Sequence, residues 1–98
     1  MLHHYVFLKY KSGTTDAHIQ VFCKKMLALQ SSIKEVQHIE IGLDELHDER
    51  SWDLILIMQF ASFVDLRIYQ HHPEHIAAIE FNRLHVANVG SLDFNKGE

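Results

Sequence analysis

The sequence predicts an α+β fold, an antiparallel sheet with helices packed on one face. Two segments dense in β-branched and aromatic residues, Leu2 to Tyr10 and Trp52 to Phe60, read as strands. Between them runs an apolar stripe at helical spacing, and the only proline, Pro73, stands inside a second helical region. The chain of 98 residues suits one domain spanning residues 1–98, with a core near the lower end of comfortable size.

The elements follow in order. Leu2 to Tyr10 alternates and forms the first strand, and Lys11-Ser-Gly-Thr14 is a turn. Ile19, Phe22, Cys23, Met26, Leu29 and Ile33 recur as the buried stripe of an amphipathic helix, with Asp16 near its start to complement the dipole. Val36 to Leu43 is the second strand, Asp44 to Ser51 a polar connection, and Trp52 to Phe60 the third strand. Ser62-Phe-Val-Asp65 has the form of a capping box and opens a helical segment reaching about Gln70. Pro73 restarts the helix, with Ala77, Phe81 and Leu84 expected on its buried face. His85 to Phe94 is the last strand, and the tail after it is expected to be loose. The order βαββαβ, with its second helix broken in two, is the ferredoxin-like arrangement.

The strands carry a further consequence. In Trp52 to Phe60, Leu54, Leu56 and Met58 point one way while Ile55 and Ile57 point the other, and Val6 and Leu8 oppose Tyr5 and Phe7 in the same manner. Helices cover one face only. The simplest cover for the second is the same sheet of another copy, so the expected partner is the chain itself, as a homodimer through the open sheet face.

Composition narrows the function. The formal net charge is −4, with nine Lys and Arg scattered along the chain, which argues against nucleic acid. The single cysteine, Cys23, lies in the helical stripe and reads as a small buried hydrophobe; with no intrachain disulfide available, it fits a reducing cytoplasm. The first strand is too short and polar for a signal peptide or membrane span, and no membrane partner is expected. Patterns for a Ser-His-Asp elbow, phosphate loop, dinucleotide fold or CxxC are missing.

The most informative stretch is Tyr69-Gln-His-His-Pro-Glu-His75, which holds three of the nine histidines. Pro73 reads as the first residue of a helix and His72 as its cap neighbour. His75 then falls in the first turn, where the helix field and partial burial favour a neutral imidazole suited to general-base work, with Tyr69 to orient it or to donate to a developing oxyanion. The competing reading packs His75 at the sheet edge on a backbone carbonyl, with Tyr69 as core. His72 and His75 are three apart and could share a metal with His71 or Glu74, but no third ligand stands at a telling distance, so no metal site is assigned. Asp44, His47 and Asp48 are read as a solvated loop.

His4-Tyr-Val-Phe-Leu-Lys-Tyr10, Gly42 closing the second strand, and His72-Pro-Glu-His75 resemble the stress-responsive dimeric α+β barrel (Dabb) domain family, whose last helix opens on His-Pro-x-His. The resemblance runs from about His3 to Phe94. It implies a ferredoxin-like protomer whose sheet forms a barrel with that of a second copy. Some plant members are stress-induced, many bacterial ones have no assigned activity, and one plant member, olivetolic acid cyclase, closes a polyketide by an aldol-type condensation without a cofactor. By this resemblance the catalytic tyrosine and histidine fall on Tyr69 and His75, and a pocket histidine on His4. Two pocket positions depart, a tyrosine becoming Met26 and a histidine becoming Asp53. Phe22 joins His4, Met26 and Asp53 as an expected binding residue. The leading expectation is a homodimeric small-molecule-binding or stress-associated module, holding a small apolar or carbonyl ligand and no cofactor. The alternative is a cofactor-independent enzyme, cyclase-like or, by analogy of fold, monooxygenase-like, with His75 as base.

Overall fold

The computed structural model describes residues 1–97. Strand β1 (Leu2–Tyr10), helix α1 (Asp16–Ser32), strands β2 (His38–Leu43) and β3 (Leu54–Phe60), helices α2 (Phe63–His71) and α3 (Pro73–Asn82) and strand β4 (Val86–Asn95) follow in order. A 3-10 turn, Arg83–His85, joins α3 to β4. The strands make one antiparallel sheet in the order β2-β3-β1-β4, a ferredoxin-like topology.

Local chemistry sets the boundaries. Gly13, at φ 88°, supplies the left-handed residue that turns β1 into α1. The Thr15 hydroxyl accepts from the His18 amide at 3.1 Å and caps α1. Ser62 caps α2 in the same way, accepting from the Asp65 amide at 3.2 Å. His72 serves two helices at once. Its amide donates to the Tyr69 carbonyl at 3.1 Å to close α2, and its Nδ1 accepts from the Glu74 amide at 3.2 Å to open α3, with Pro73 first in line. The break between the helices is therefore a built corner.

The alternation read in β3 is the observed one. Leu54, Leu56, Met58 and Phe60 are buried under the helices, while Ile55, Ile57 and Gln59 are half-buried on the other face. In β1, Leu2, His4, Val6, Leu8 and Tyr10 share the helix side, because each pairs with, or continues the phase of, a buried β3 residue. The stripe Phe22, Cys23, Met26, Leu29 and Ile33 closes the core from α1. Two boundaries shorten: Val36 lies before β2, and Trp52 lies outside β3.

One expectation is corrected. Ala77 is exposed and Leu84 is 68% exposed. The buried face of α3 is carried by Ala78 and Asn82, four residues apart, with Phe81 partly covered. Leu84 belongs to the 3-10 turn, whose tighter winding carries it off the helix face, so a phase drawn through it slips by one residue.

The face away from the helices stays open. Tyr5, Phe7, Ile55 and Ile57 are half-buried there, and Leu92 is 56% exposed. Phe94 stacks on His3 with ring centroids 5.4 Å apart, and Trp52 folds against Phe7 at 5.8 Å. Gly90 makes room for that indole, since a Cβ there would stand 3.3 Å from it.

Met58 has no exposed surface at the centre of the helix-side core. Met58→Ala should lower the unfolding free energy by about 2–5 kcal/mol, read from the urea midpoint at unchanged slope.

Candidate functional site

The corner at His72 fixes the geometry of the histidine cluster. Because α3 starts immediately after it, His75 sits in the first turn with its ring turned back toward α2. Its Nδ1 lies 3.1 Å from the Gln70 carbonyl. A carbonyl only accepts, so Nδ1 carries the proton and Nε2 keeps its lone pair. Burial lowers the His75 pKa from its ordinary value; the Gln70 carbonyl opposes this, and His4 and His72 add to the lowering. The ring is thus held neutral in one tautomer.

Tyr69, 2% exposed, lies beside it with ring centroids 4.3 Å apart. Burial alone raises its phenol pKa well above the ordinary value, so the hydroxyl stays protonated across the accessible pH range. Tyr69 also packs on Phe60 at 5.1 Å, and Phe60 meets His4 edge-on at 6.1 Å. His4 is buried, and its Nδ1 donates to the Asp93 carboxylate on β4, the strand position directly opposite. His4, Phe60, Tyr69 and His75 form one aromatic run from β1 to α3.

The other expected residues are distributed differently. Phe22 lines a cavity of about 360 Å³ between α1, α3 and the sheet, with Val6, Leu8, Leu56, Ile79 and Asn82. Met26 is fully buried in the core and is not part of that lining. Neither Tyr69, His75 nor His4 lines it. The reason is the length of α3: His75 stands in its first turn and Asn82 at its end, about 10 Å further on. Asp53 lies at the far end of the sheet. There one oxygen accepts from the Tyr10 amide at 2.7 Å and the other faces the Lys9 ammonium at 3.5 Å, so it secures the start of β3 against β1. His72 is occupied as a helix cap.

Several polar residues of this region escape a reading by sequence spacing. Asp93 is 89 residues from His4, and only the strand register brings them together. Asn82 sits at a buried helix position, where its Oδ1 accepts from His18 Nε2 at 2.9 Å. Its spacing of four from Ala78 is the only signal. Among the described residues, no group of three His, Cys, Asp or Glu side chains is arranged to hold a metal ion. No helix among them is long and apolar enough to cross a membrane.

A base whose folded pKa lies below its unfolded value of about 6.5 adds stability above that pH, and loses it as the pH falls through it toward the folded value. The wild-type urea midpoint should therefore drop between pH 7.5 and 5, and His75→Gln, which cannot titrate, should flatten part of that drop. Parallel curves for the two proteins would show that His75 does not contribute.

The family profile described as "Stress responsive A/B Barrel Domain" matches residues 2–96. No curated protein sequence matches the chain. Among solved structures, a dimeric protein of unknown function and ferredoxin-like fold from Bacteroides fragilis is 24% identical, with TM-score 0.85 over 97% of this chain and 95% of that one. A hydroxynitrile lyase from Passiflora edulis is 19% identical, with TM-score 0.85 over 99% of this chain and 94% of that one. A Dabb family protein with a ferredoxin-like fold from Mesorhizobium loti is 20% identical, with TM-score 0.79 over 99% of this chain and 97% of that one. At these identities the likeness establishes the fold and carries no activity with it.

Proposed function

The chain belongs to the stress-responsive A/B barrel (Dabb) domain family, and from that premise we propose that it is a cytoplasmic homodimer that holds a small apolar or carbonyl molecule between its helices and its sheet. The observation that carries this reading is the cavity of about 360 Å³ against Phe22, Val6, Leu8 and Leu56, a volume inside the range of small-molecule sites, roughly 300–1,000 Å³. Most of the wall is aliphatic and aromatic, which favours a ligand with an apolar body. The dimer is supported by the open sheet face, where Tyr5, Phe7, Ile55, Ile57 and Leu92 form a patch that a second copy would bury. The Bacteroides fragilis protein of the same fold is described as dimeric. The buried single thiol of Cys23 suits a reducing compartment.

A second reading, catalysis without a cofactor, is favoured by one observation: His75 is neutral, tautomerically fixed and in ring contact with Tyr69. In that reading Nε2 removes a proton from a carbon next to a carbonyl, and the Tyr69 hydroxyl donates to the oxygen on which charge develops. A hydroxynitrile lyase shares the fold. The binding reading comes first because neither ring lines the cavity.

Sedimentation velocity at micromolar concentration should give a single species of about twice the 11.5 kDa chain mass, and Ile57→Glu should reduce it to the monomer. A stable wild-type monomer would remove the dimer from the proposal. His75→Ala separates the two functional readings: it should leave ligand affinity within about twofold if the cavity acts alone, and should abolish turnover of a carbonyl substrate if the pair is catalytic.

A further inference from the structure

The cavity has a polar end that no part of the binding or catalytic readings uses. Asn82 is 2% exposed and stands on its wall. With His18 in the tautomer that protonates Nε2, the Asn82 Oδ1 accepts from it at 2.9 Å, which orients the amide. His18 is itself clamped, stacked on Phe81 with centroids 4.5 Å apart and planes 6° from parallel, and set against the His85 ring at 3.9 Å. The NH₂ group of Asn82 is therefore held away from His18.

Beside it lies the Tyr10 hydroxyl, in a residue 8% exposed. That oxygen is buried and, among the described residues, has no hydrogen-bond partner of standard geometry. Burial pushes the phenol pKa up to about 12, with the adjacent Asn82 amide pulling it partly back, so the phenol keeps its proton. An orphan buried hydroxyl is a cost to the fold and calls for a reason. Here it lies against the buried Asn82 amide on the cavity wall. Arg83 stands on the same lining, with its Nε donating to Glu80 at 3.0 Å, and offers further donors at the rim.

The buried side-chain groups brought to this end thus offer donors, the Asn82 NH₂ with the Tyr10 hydroxyl behind it; the exposed Arg83 guanidinium adds more outside them, and the exposed Asn88 completes the polar rim. We propose that the cavity takes an amphipathic molecule with a hydrogen-bond-accepting head, a carbonyl or carboxylate, that accepts from Asn82 while its aliphatic part lies against Phe22 and Leu56. Asn82 is the specificity-determining contact, and Tyr10 and His18 are positioning residues. This rests on the cavity being the binding site and adds the chemistry of the head and the residue that reads it.

The test uses the full chain with methyl labels on Val6, Leu8 and Leu56, titrated with decanoate and with decylammonium, which share a tail and differ in the head. Decanoate should shift the cavity methyls saturably and bind about tenfold more tightly than decylammonium. Asn82→Asp keeps the shape and replaces donors by an anion, so it should weaken decanoate about tenfold and narrow or reverse the preference; Asn82→Leu, which needs no partner for a buried charge, should also lose the preference. Tyr10→Phe removes the orphan hydroxyl. It should raise Tm by a few degrees while weakening decanoate several-fold, a combination that a purely structural tyrosine would not produce. Equal binding of the two probes, or both Asn82 variants binding decanoate as the wild type does while the cavity methyls still shift, would overturn the head assignment and leave the cavity reading standing. Cavity methyls that respond to neither probe would overturn both.

Discussion

The rest of the structure depends on a sheet whose central strands are apolar on both faces. β1 and β3 lie side by side in the middle of the order β2-β3-β1-β4, and each sends alternate apolar residues to opposite sides. Three helices can bury only one of those sides. Leu54, Leu56, Met58 and Phe60 are used up by that contact, and Tyr5, Phe7, Ile55 and Ile57 are left over. The outer surface is then apolar by construction, and burial of apolar area is the main driving term for association. A fold that spends its helices on one face is built to receive something on the other.

The same constraint places the candidate site. Helical cover is good over β1 and β3 but thins toward β4, whose residues are mostly exposed. The cavity opens where that cover thins, between α3, β1 and β4. The corner at His72 decides which side chains reach it. By ending α2 and opening α3 on one residue, it sends His75 back onto Tyr69 and leaves the end of α3, with Ile79 and Asn82, facing the cavity. The Tyr69–His75 pair and the cavity thus lie at opposite ends of α3. The aromatic run His4, Phe60, Tyr69, His75 borders the first, and the Tyr10, His18 and Asn82 group borders the second.

Much of this is legible in the chain because it is local. Strand alternation, the stripe of α1, the Ser62 cap and the reading of Pro73 as a helix start each need only a few neighbouring residues, and each agrees with the structure. The face of α3 was not legible, because a hydrophobic pattern draws its phase through Leu84 and passes over Asn82, a polar residue buried at the true phase. The partners of the polar groups were not legible either. His4 with Asp93, Asp53 with the Tyr10 amide, and His18 with Asn82 are joined by register and helix packing across 43 to 89 residues. Local pattern reads burial well and partners poorly.

The central claim is that the second apolar face is closed by another copy of the chain. The most direct measurement mixes isotope-labelled and unlabelled protein and looks for contacts between chains by filtered nuclear Overhauser spectroscopy. The account predicts intermolecular contacts among Phe7, Ile55, Ile57 and Leu92, with none from the helix-side residues Leu56 and Met58. Intermolecular contacts confined to helix surfaces, or none at all from the outer sheet residues, would contradict it.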